Sequence, residues 1–181
     1  MNGDERVTIR GPRLLLRPLA FDEIDAEWQE MVDADPMTIA SLPDEQEFRA
    51  RLARSGRLEN GWLDLGIDLD GRLIGRIQTF APPGRELDPG VFDMGIGLRG
   101  DVRGKGYGTE ALRIFTDWLF SNADATRVEA PTDPANIAMQ TVFEKLGWIL
   151  VATQYEFDRE WVVYAIERDQ WQKRAGSSYG G

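Results

Sequence analysis

The pattern of apolar and polar positions predicts alternating strands and helices. An apolar run over 13–17, stopped by Pro18, predicts a first strand. Two alternating runs, 62–69 and 73–80, flank Asp70-Gly71, a dipeptide typical of tight hairpins, and predict two antiparallel strands. Four more strand patterns follow along the chain: 91–98, 127–130, 148–157 and 161–166.

Apolar residues at helical spacing predict four helices. The first begins at Asp22, and the second opens at Asp44 and carries apolar residues as far as Leu58. A third begins at Thr109 after a glycine-rich turn, and a fourth begins at Asp133-Pro134, an N-cap and first-turn pair, and is ended by Gly147. The order βααβββαβαββ predicts a mixed α/β fold, with a mostly antiparallel central sheet of about seven strands and helices on both faces.

The length of 181 residues predicts a single domain with a sizeable core. Residues 1–12 are polar, and we expect them to be loose. The domain is predicted to span 13–174, and the sequence AGSSYGG at 175–181 predicts a disordered tail.

The chain contains no histidine and no cysteine. These absences exclude a thiol nucleophile, a histidine base, a Ser-His-Asp triad and almost every zinc site, so we expect no metal. Proton transfer would then fall to Asp, Glu, Tyr, Lys or water.

The net charge of −10 argues against nucleic acid and anionic membranes as partners, since both select clustered Lys and Arg. No apolar run approaches the roughly 20 residues that span a bilayer, and the N-terminus lacks a signal-peptide pattern. We therefore expect a cytoplasmic protein. A cationic partner is compatible with this acidity, and so is simple solubility.

A glycine-rich turn lies between the strand at 91–98 and the helix that follows it. Its glycines occupy alternate positions in Arg103-Gly104-Lys105-Gly106-Tyr107-Gly108. Glycines let the backbone approach an anion, and the first amides of a helix lack internal partners, so this turn is suited to a pyrophosphate. The structural alternative is a glycine-rich turn that binds nothing.

Two other phosphate motifs do not fit. The P-loop pattern G-x-x-x-x-G-K-[ST] is absent. A G-x-G-x-x-G string occurs at Gly95, Gly97 and Gly100, but its first two glycines lie inside the predicted strand rather than on a turn into a helix. This placement argues against a nicotinamide or flavin cofactor.

The turn matches the R/Q-x-x-G-x-G/A signature of the GNAT acyltransferases, and the resemblance covers about 13–168. The stretch 13–18, RLLLRP, resembles the opening strand of that family, and 136–148, NIAMQTVFEKLGW, resembles its later helix. Both segments are similar to the RimJ/RimL branch, which acylates protein N-termini and, in related members, small amines.

The resemblance implies acetyl-coenzyme A or another acyl-coenzyme A as co-substrate, without a metal. It also implies that this strand separates from its neighbour and that its backbone pairs with the pantetheine arm at Ile96, Gly97 and Leu98. Asn136 matches the residue that touches this arm, although it could equally support the first turn of its own helix. The backbone amides that would hold the pyrophosphate belong to Arg103, Gly104, Lys105, Gly106, Tyr107, Gly108 and Thr109.

Acyl transfer needs a neutral amine, and Asp93 is the candidate base. On a regular strand Asp93 shares a face with Gly95 and Gly97, and it aligns with an acidic residue of RimJ/RimL-type strands. It would bind or deprotonate the amine. The alternative is a solvated carboxylate at the start of a strand.

Protonation of the leaving thiolate has no obvious donor. Where the family commonly has Ser or Tyr on the later helix, this chain has Met139 and Phe143, and neither donates a proton. Water could act instead, or the protein catalyses weakly or not at all. A tyrosine could also come in from elsewhere, the candidates being Tyr107, Tyr155 and Tyr164.

The predicted function is transfer of an acyl group to a primary amine of a protein N-terminus or a small molecule. Alternatives are an aminoglycoside acetyltransferase and a non-catalytic acyl-coenzyme A binding module. We expect a monomer or homodimer, with specificity in the first two helices and the loop 81–90. Acidic residues there would attract a cationic acceptor or merely be solvated: Asp22, Glu23, Asp25, Glu86 and Asp88. Trp28 and Trp62 are expected in the core.

Overall fold

The computed structural model describes residues 6–34, 44–80, 87–156 and 158–177. Its strands are β1 (Ile9–Arg10), β2 (Leu15–Arg17), β3 (Leu63–Leu69), β4 (Arg72–Phe80), β5 (Val91–Leu98), β6 (Arg127–Thr132), β7 (Ile149–Glu156) and β8 (Arg159–Glu167). Its helices are α1 (Phe21–Ala34), α2 (Glu45–Leu52), α3 (Tyr107–Asn122), α4 (Ile137–Leu146) and α5 (Arg168–Ser177), with a 3₁₀ turn at Gly100–Val102.

The strands form one eight-stranded mixed sheet, in the order β1-β2-β3-β4-β5-β6-β8-β7. Only the β5–β6 pair is parallel among these eight strands, and every other neighbouring pair is antiparallel. The predicted mostly antiparallel α/β sheet is confirmed, with one strand more than expected.

The β3–β4 hairpin forms where its dipeptide predicts it. Asp70 and Gly71 both have positive φ, +53° and +85°, as a two-residue turn matched to the strand twist requires. Asp68 Oδ1 accepts a hydrogen bond from the Gly71 amide at 2.8 Å, which supports the turn.

Helices cover both faces of the sheet, as predicted. On one face the main core joins Leu65 and Ile77 of the sheet to Phe115 of α3 and Phe143 of α4. On the other face a smaller cluster joins the helices α1 and α2 to β4; its buried members are Leu19, Ile24, Phe48, Leu52 and Leu73. Trp28 packs against this second cluster, which confirms its core role.

Both chain ends are more ordered than expected within the described ranges. The prediction that 1–12 is loose is wrong for 6–12, because β1 pairs with β2 and the Val7 amide donates to the Gly56 carbonyl at 2.7 Å. The predicted tail at 175–181 is wrong for 175–177, which continue α5. Residues 1–5 and 178–181 lie outside the described residues.

Three helix boundaries differ from the predicted ones. Helix α2 ends at Leu52, so Leu58 lies beyond it, and α3 begins at Tyr107, two residues before Thr109. Asp133 caps the turn at Ala135, and Asn136 is the N-cap of α4. Gly147 ends α4 with φ +84°, as predicted.

A buried carboxylate ties the first turn of α3 to the start of β2. Glu110, 6% exposed, accepts hydrogen bonds from the backbone amides of Arg13 and Leu14 at 2.7 and 3.1 Å. The Arg13 guanidinium adds an ion pair of 2.6 Å. Burial alone would raise the pKa of Glu110, but the hydrogen bonds from Arg13 and Leu14 outweigh it, so the pKa lies below its ordinary value of 4.5.

We expect Glu110→Ala to lower the free energy of unfolding by about 3 kcal/mol, because two buried amides lose their acceptor. Glu110→Gln, which keeps one acceptor oxygen, should cost less. Since the pKa of Glu110 is lowered in the folded state, its ionic contribution is present above about pH 4.5 and is lost as the pH falls through the folded-state pKa.

Urea denaturation at pH 7 and at pH 4 measures this. The difference in the free energy of unfolding between wild type and Glu110→Gln should be smaller at pH 4 than at pH 7. Glu160→Gln, which changes an exposed carboxylate, should have the wild-type free energy of unfolding at both pH values. A gap that stays constant with pH would contradict the ionic contribution.

Candidate functional site

The parallel strands β5 and β6 separate after three paired residues. Val91, Phe92 and Asp93 pair with Arg127, Val128 and Glu129, and the register ends there. β5 continues to Leu98 beside β4, and β6 continues to Thr132 beside β8. The splay that the family resemblance implied is therefore present.

A narrow cleft of about 80 Å³ opens where the strands part. Helices α3 and α4 close the cleft, and most of the side chains at its wall are apolar. Only Thr132 and Asn136 bring polar side chains among the residues described at its wall, which are Met94, Gly95, Ile96, Leu112, Ala130, Pro131, Thr132, Asn136, Met139 and Phe143.

A second, larger cavity of about 340 Å³ lies on the α1 side of β5. Gly95 and Ile96 line both cavities, so two residues of β5 separate them. The wall of this larger cavity consists of Glu27, Gly75, Arg76, Gln78, Gly95, Ile96, Gly97, Leu98, Arg99 and Arg103. Of the three strand residues predicted to bind a cofactor, Ile96 thus borders both cavities, whereas Gly97 and Leu98 border only the larger one among the cavities described.

The glycine turn has the backbone that anion binding requires. Gly104 and Gly106 have φ of +74° and +81°, in the left-handed region that favours glycine. Gly106 is the N-cap of α3 and supplies no side-chain acceptor, so no side chain caps the first amides of the helix there. These amides are the ones that an anion at a helix N-terminus would engage.

Contacts from two arginines stabilise this turn. The Arg13 guanidinium lies 4.7 Å from the centre of the Tyr107 ring and donates to the Lys105 carbonyl at 3.3 Å. Arg103 Nε donates to the Leu98 carbonyl at 2.9 Å, which fixes the start of the turn to the end of β5. Arg13 and Glu110 lie 97 positions apart in the chain, so no local sequence signal predicts their contact.

Asn136 has a structural role in addition to any contact with a ligand. Its side-chain oxygen accepts a hydrogen bond from the Met139 amide at 3.2 Å and caps α4. Its side chain also lines the narrow cleft. Because the oxygen is the capping atom, the amide NH₂ remains the group with which Asn136 would meet a ligand.

Asp93 lies on the face of β5 that was predicted for it. Its register partners are Phe80 of β4 and Glu129 of β6, and the next residue, Met94, faces the main core. Asp93 is 1% exposed, so the alternative of a solvated carboxylate is wrong. Gly95, which borders both cavities, follows two residues along the same face, about 7 Å away.

The larger cavity has a charged wall. Arg76 Nη1 lies 3.2 Å from Asp64 Oδ1, and Arg76 Nε lies 3.9 Å from Glu27 Oε2. Burial is the largest influence on both members of the first pair: it raises the pKa of Asp64 and lowers that of Arg76, although each partner's charge acts in the opposite direction. Arg99 Nη2 lies 3.7 Å from Glu27 Oε1. None of these groups was selected from the sequence.

No tyrosine reaches the narrow cleft among the residues described at its wall. Tyr155 is 71% exposed, and Tyr107 lies at the start of α3 against Arg13. The Tyr164 hydroxyl is 3.3 Å from Glu144 Oε1, and its ring stacks on Phe143 with centres 5.1 Å apart. Burial and the Glu144 charge raise the pKa of Tyr164. Thr132 is therefore the hydroxyl at this wall.

Two of the five acidic residues that were expected to attract a cationic acceptor have structural partners. Glu23 binds Arg17 and accepts from the Ala20 amide, and the hydrogen bond from Arg17 is the main reason that its pKa is lowered. Asp25 pairs with Arg49. Asp22 and Asp88 are exposed, and Glu86, with the rest of 81–86, lies outside the described residues.

Within the described ranges, no cluster of three or more His, Cys, Asp or Glu side chains is placed to hold a metal ion. Among the helices described, none combines the length and the apolar character that a membrane crossing demands.

Comparison with known proteins identifies the fold. A family model described as "Acetyltransferase (GNAT) domain" matches residues 13–149. Aminoglycoside N(6')-acetyltransferase type 1 of Klebsiella pneumoniae is 30% identical over 88 residues. That match covers 44% of this chain and 44% of the relative, so less than half of each protein is compared.

Solved structures match over most of the chain. An acetyltransferase from Agrobacterium tumefaciens str. C58 is 25% identical, with a TM-score of 0.71 over 90% of this chain and 95% of its own. A RimL ribosomal L7/L12 α-N-protein acetyltransferase, in complex with coenzyme A, has a TM-score of 0.71 over 89% of this chain and 98% of its own. At 16% identity, the second likeness is one of fold alone.

We expect Gly104→Ala to weaken binding of coenzyme A about tenfold. The new Cβ meets no atom within 4 Å, but the φ of +74° becomes strained, by about 1–2 kcal/mol, and the amides of the turn shift. Calorimetry would compare coenzyme A with pantetheine, which lacks the pyrophosphate and should bind both proteins equally.

Gly100→Ala serves as the matched control, because its Cβ is equally unobstructed and its φ is not positive. Equal weakening of coenzyme A and pantetheine by Gly104→Ala would show that the turn does not hold the pyrophosphate.

Proposed function

Since the chain belongs to the GNAT acetyltransferase family, whose model matches residues 13–149, we propose that it transfers an acyl group, most simply acetyl, from acyl-coenzyme A to a primary amine. The observation that carries this proposal is the pair of cavities that share Gly95 and Ile96 across one strand. A thioester in the narrow cleft and an amine in the larger cavity would meet at these two residues.

The acyl donor, acyl-coenzyme A, would bind at the glycine turn. Its pyrophosphate would bind the amides of 103–109 at the start of α3, where the helix dipole favours a negative charge. The pantetheine arm would follow the edge of β5 beyond Asp93, where β6 no longer pairs with it. Ile96 and the amide of Asn136 border that path.

Transfer would be direct, from thioester to amine within one ternary complex. The chain has no cysteine to carry an acyl-enzyme. Holding the two reactants on either side of a single strand supplies proximity and orientation, which alone account for much of the rate enhancement in such reactions. The acceptor amine attacks the carbonyl carbon, the carbon–sulfur bond breaks, and the amine proton leaves to a base.

Asp93 would act as that base or hold the amine. It is buried and lies about 7 Å along the strand from Gly95, a separation that a carboxylate side chain and one water molecule can bridge.

The thiolate leaving group needs less stabilisation or protonation than an amine or alkoxide leaving group would. A thiol has a pKa of about 8.5, so the thiolate is a tolerable product near neutral pH and can depart without simultaneous protonation. A hydroxyl is too weak an acid to protonate it, but it can donate a hydrogen bond. Thr132, which lines the cleft, would donate this hydrogen bond and so replace the donor that Met139 and Phe143 cannot supply.

Thiol release on mixing the protein with acetyl-coenzyme A and a panel of amines tests the proposal. The panel should include an aminoglycoside, because the aminoglycoside N(6')-acetyltransferase match favours that second candidate. It should also include a peptide N-terminus, because the segments 13–18 and 136–148 resemble the RimJ/RimL branch. Turnover with any amine supports acyl transfer, and tight coenzyme A binding without turnover would instead indicate a binding module.

We expect Asp93→Asn to lower kcat/KM by about 10²- to 10⁴-fold, the usual contribution of a general base. Asp88→Asn removes an equal charge from an exposed position three residues before β5 and should retain the wild-type kcat/KM. A kcat/KM that is unchanged across pH in folded Asp93→Asn would exclude Asp93 from the chemistry.

We expect Thr132→Val to lower kcat by about 10- to 100-fold, the cost of one hydrogen bond to a charged group. Thr132→Ser keeps the hydroxyl and should restore most of the activity. Single-turnover kinetics with an activated thioester, whose thiolate is a better leaving group, should show a smaller effect. Equal activity of the Val and Ser variants would contradict this role.

A further inference from the structure

We propose that Gly97 determines which acceptors the site admits, because the body of the acceptor occupies the space that a side chain would fill at this position. The acceptor class that fits is a primary amine carried on a six-membered ring, rather than on a short unbranched chain. The inference rests on the proposed acyl transfer and names the acceptor class for the same site. Its basis is a glycine that neither the packing nor the backbone conformation of the sheet requires.

The packing of the sheet does not require glycine at position 97. The described strands contain four glycines, which are Gly66, Gly75, Gly95 and Gly97. A Cβ added at Gly66 or Gly75 would lie 2.7 or 2.2 Å from an existing atom, so close packing explains both of these glycines. A Cβ at Gly97 would meet no atom of the described residues within 4 Å.

The backbone conformation does not require this glycine either. The φ of Gly97 is not positive, and the residue pairs in register with Arg76 of β4. Glycine inside a strand loses more conformational entropy on folding than alanine does and contributes no side-chain packing. Gly97 is also exposed, although β5 is an interior strand of the sheet. A strand glycine without a structural reason marks a place where another molecule approaches the backbone closely.

The open space at Gly97 belongs to the larger cavity. Gly97 lines that cavity and does not line the narrow cleft. Gly95 lies two residues earlier on the same face of β5, about 7 Å away. The two glycines therefore expose a strip of backbone at the cavity wall. Since the amine would react beside Gly95, the body that carries the amine would lie over Gly97.

The dimensions of this space favour a ring. At Gly95 the strip is bounded, because a Cβ there would already be in contact with Phe80 and Gln78, at 3.5 and 3.6 Å. At Gly97 the clearance of 4 Å accommodates a ligand atom at van der Waals distance from the backbone. A volume of about 340 Å³ is within the range of pockets that hold ring-sized ligands. A short alkylamine would leave most of it to water.

The donor would use different atoms of β5. The Gly97 carbonyl oxygen faces β4, since it lies 2.2 Å from the position that a Cβ of Gly75 would take. The Arg99 amide, two residues later, also donates to β4, at the Ile74 carbonyl and a distance of 3.0 Å. Neighbouring residues of an antiparallel pair alternate in this respect, so the polar groups of Ile96 face the gap beside β6. A methyl group at position 97 would therefore enter the cavity of the acceptor and not the path of the pantetheine arm.

Cyclohexylmethylamine and propylamine form the matched pair that tests this inference, because both present an aminomethyl group of similar basicity and differ in the ring. Wild type should favour cyclohexylmethylamine in kcat/KM by about 10- to 100-fold, the usual value of apolar groups in a fitted pocket. Gly97→Ala should lower kcat/KM for cyclohexylmethylamine by about tenfold, mainly through KM, because the added methyl group overfills the site. Propylamine should lose less, so the ratio of the two values falls.

Gly100→Ala is the matched control. A Cβ at Gly100 is equally unobstructed and lies outside the wall of the larger cavity, so this variant should keep the wild-type ratio. Urea denaturation tests the structural alternative: Gly97→Ala should unfold at no lower urea concentration than wild type, whereas Gly75→Ala should unfold at a lower one.

Four results would overturn the inference. They are a wild-type ratio near or below one, an unchanged ratio in Gly97→Ala, a loss of coenzyme A affinity in Gly97→Ala as large as the loss for the ring amine, and a destabilisation of Gly97→Ala as large as that of Gly75→Ala.

Calorimetry separates this inference from the proposed function. Binding of cyclohexylmethylamine to protein saturated with coenzyme A is measured without any turnover. Binding that Gly97→Ala weakens, with no turnover of any amine, would overturn acyl transfer and retain the ring site. Turnover of propylamine or of a peptide N-terminus without a preference for the ring amine would retain acyl transfer and overturn the ring site. Absence of both binding and turnover of cyclohexylmethylamine would also overturn the ring site.

Discussion

The separation of β5 from β6 is the constraint on which the rest of the site depends. Parallel strands in a sheet are normally held along their length by hydrogen bonds, and here that pairing stops at Asp93 and Glu129. Each strand then follows its other neighbour, so the sheet stays continuous on both sides of the gap. The gap makes one strand, around Gly95 and Ile96, the shared wall of two cavities. The proposed site for two reactants would therefore arise from backbone topology before any side chain is considered.

The glycine turn keeps its conformation because neighbouring residues hold it in place. A turn with two residues at positive φ has little intrinsic rigidity, since glycine is conformationally permissive. Glu110 anchors the helix that follows to the start of β2, and Arg13 covers Tyr107 and binds the turn's backbone. The negative charge of Glu110 near a helix N-terminus would oppose a bound anion, but its ion pair with Arg13 offsets that charge. Rigidity and electrostatic compatibility thus come from the same contact.

Local sequence signals predicted the parts of the fold that local physics determines. Asp70-Gly71 and Gly147 specify backbone conformations that few other residues adopt, and the structure has them where the sequence placed them. Asp93 was assigned to the correct face because strand alternation has a fixed period. The Glu110–Arg13 contact and the pairing of Glu27 with Arg99 join distant positions and have no local signature. Helix α5 was missed because its sequence is mostly polar, and Trp171 is buried in its otherwise exposed first turns.

The unpaired edge of β5 also bears on solubility. A strand edge without a partner invites another chain to pair with it, and natural proteins protect such edges. Here the protection is steric: α3 and α4 leave a space of only about 80 Å³ beside the edge, with Phe143 and Met139 among its walls. A second β-strand, with side chains on both faces, is too wide for that space, whereas a thin, unbranched chain is not. The same narrowness that would select a pantetheine-like arm therefore keeps an interior sheet edge from templating aggregation.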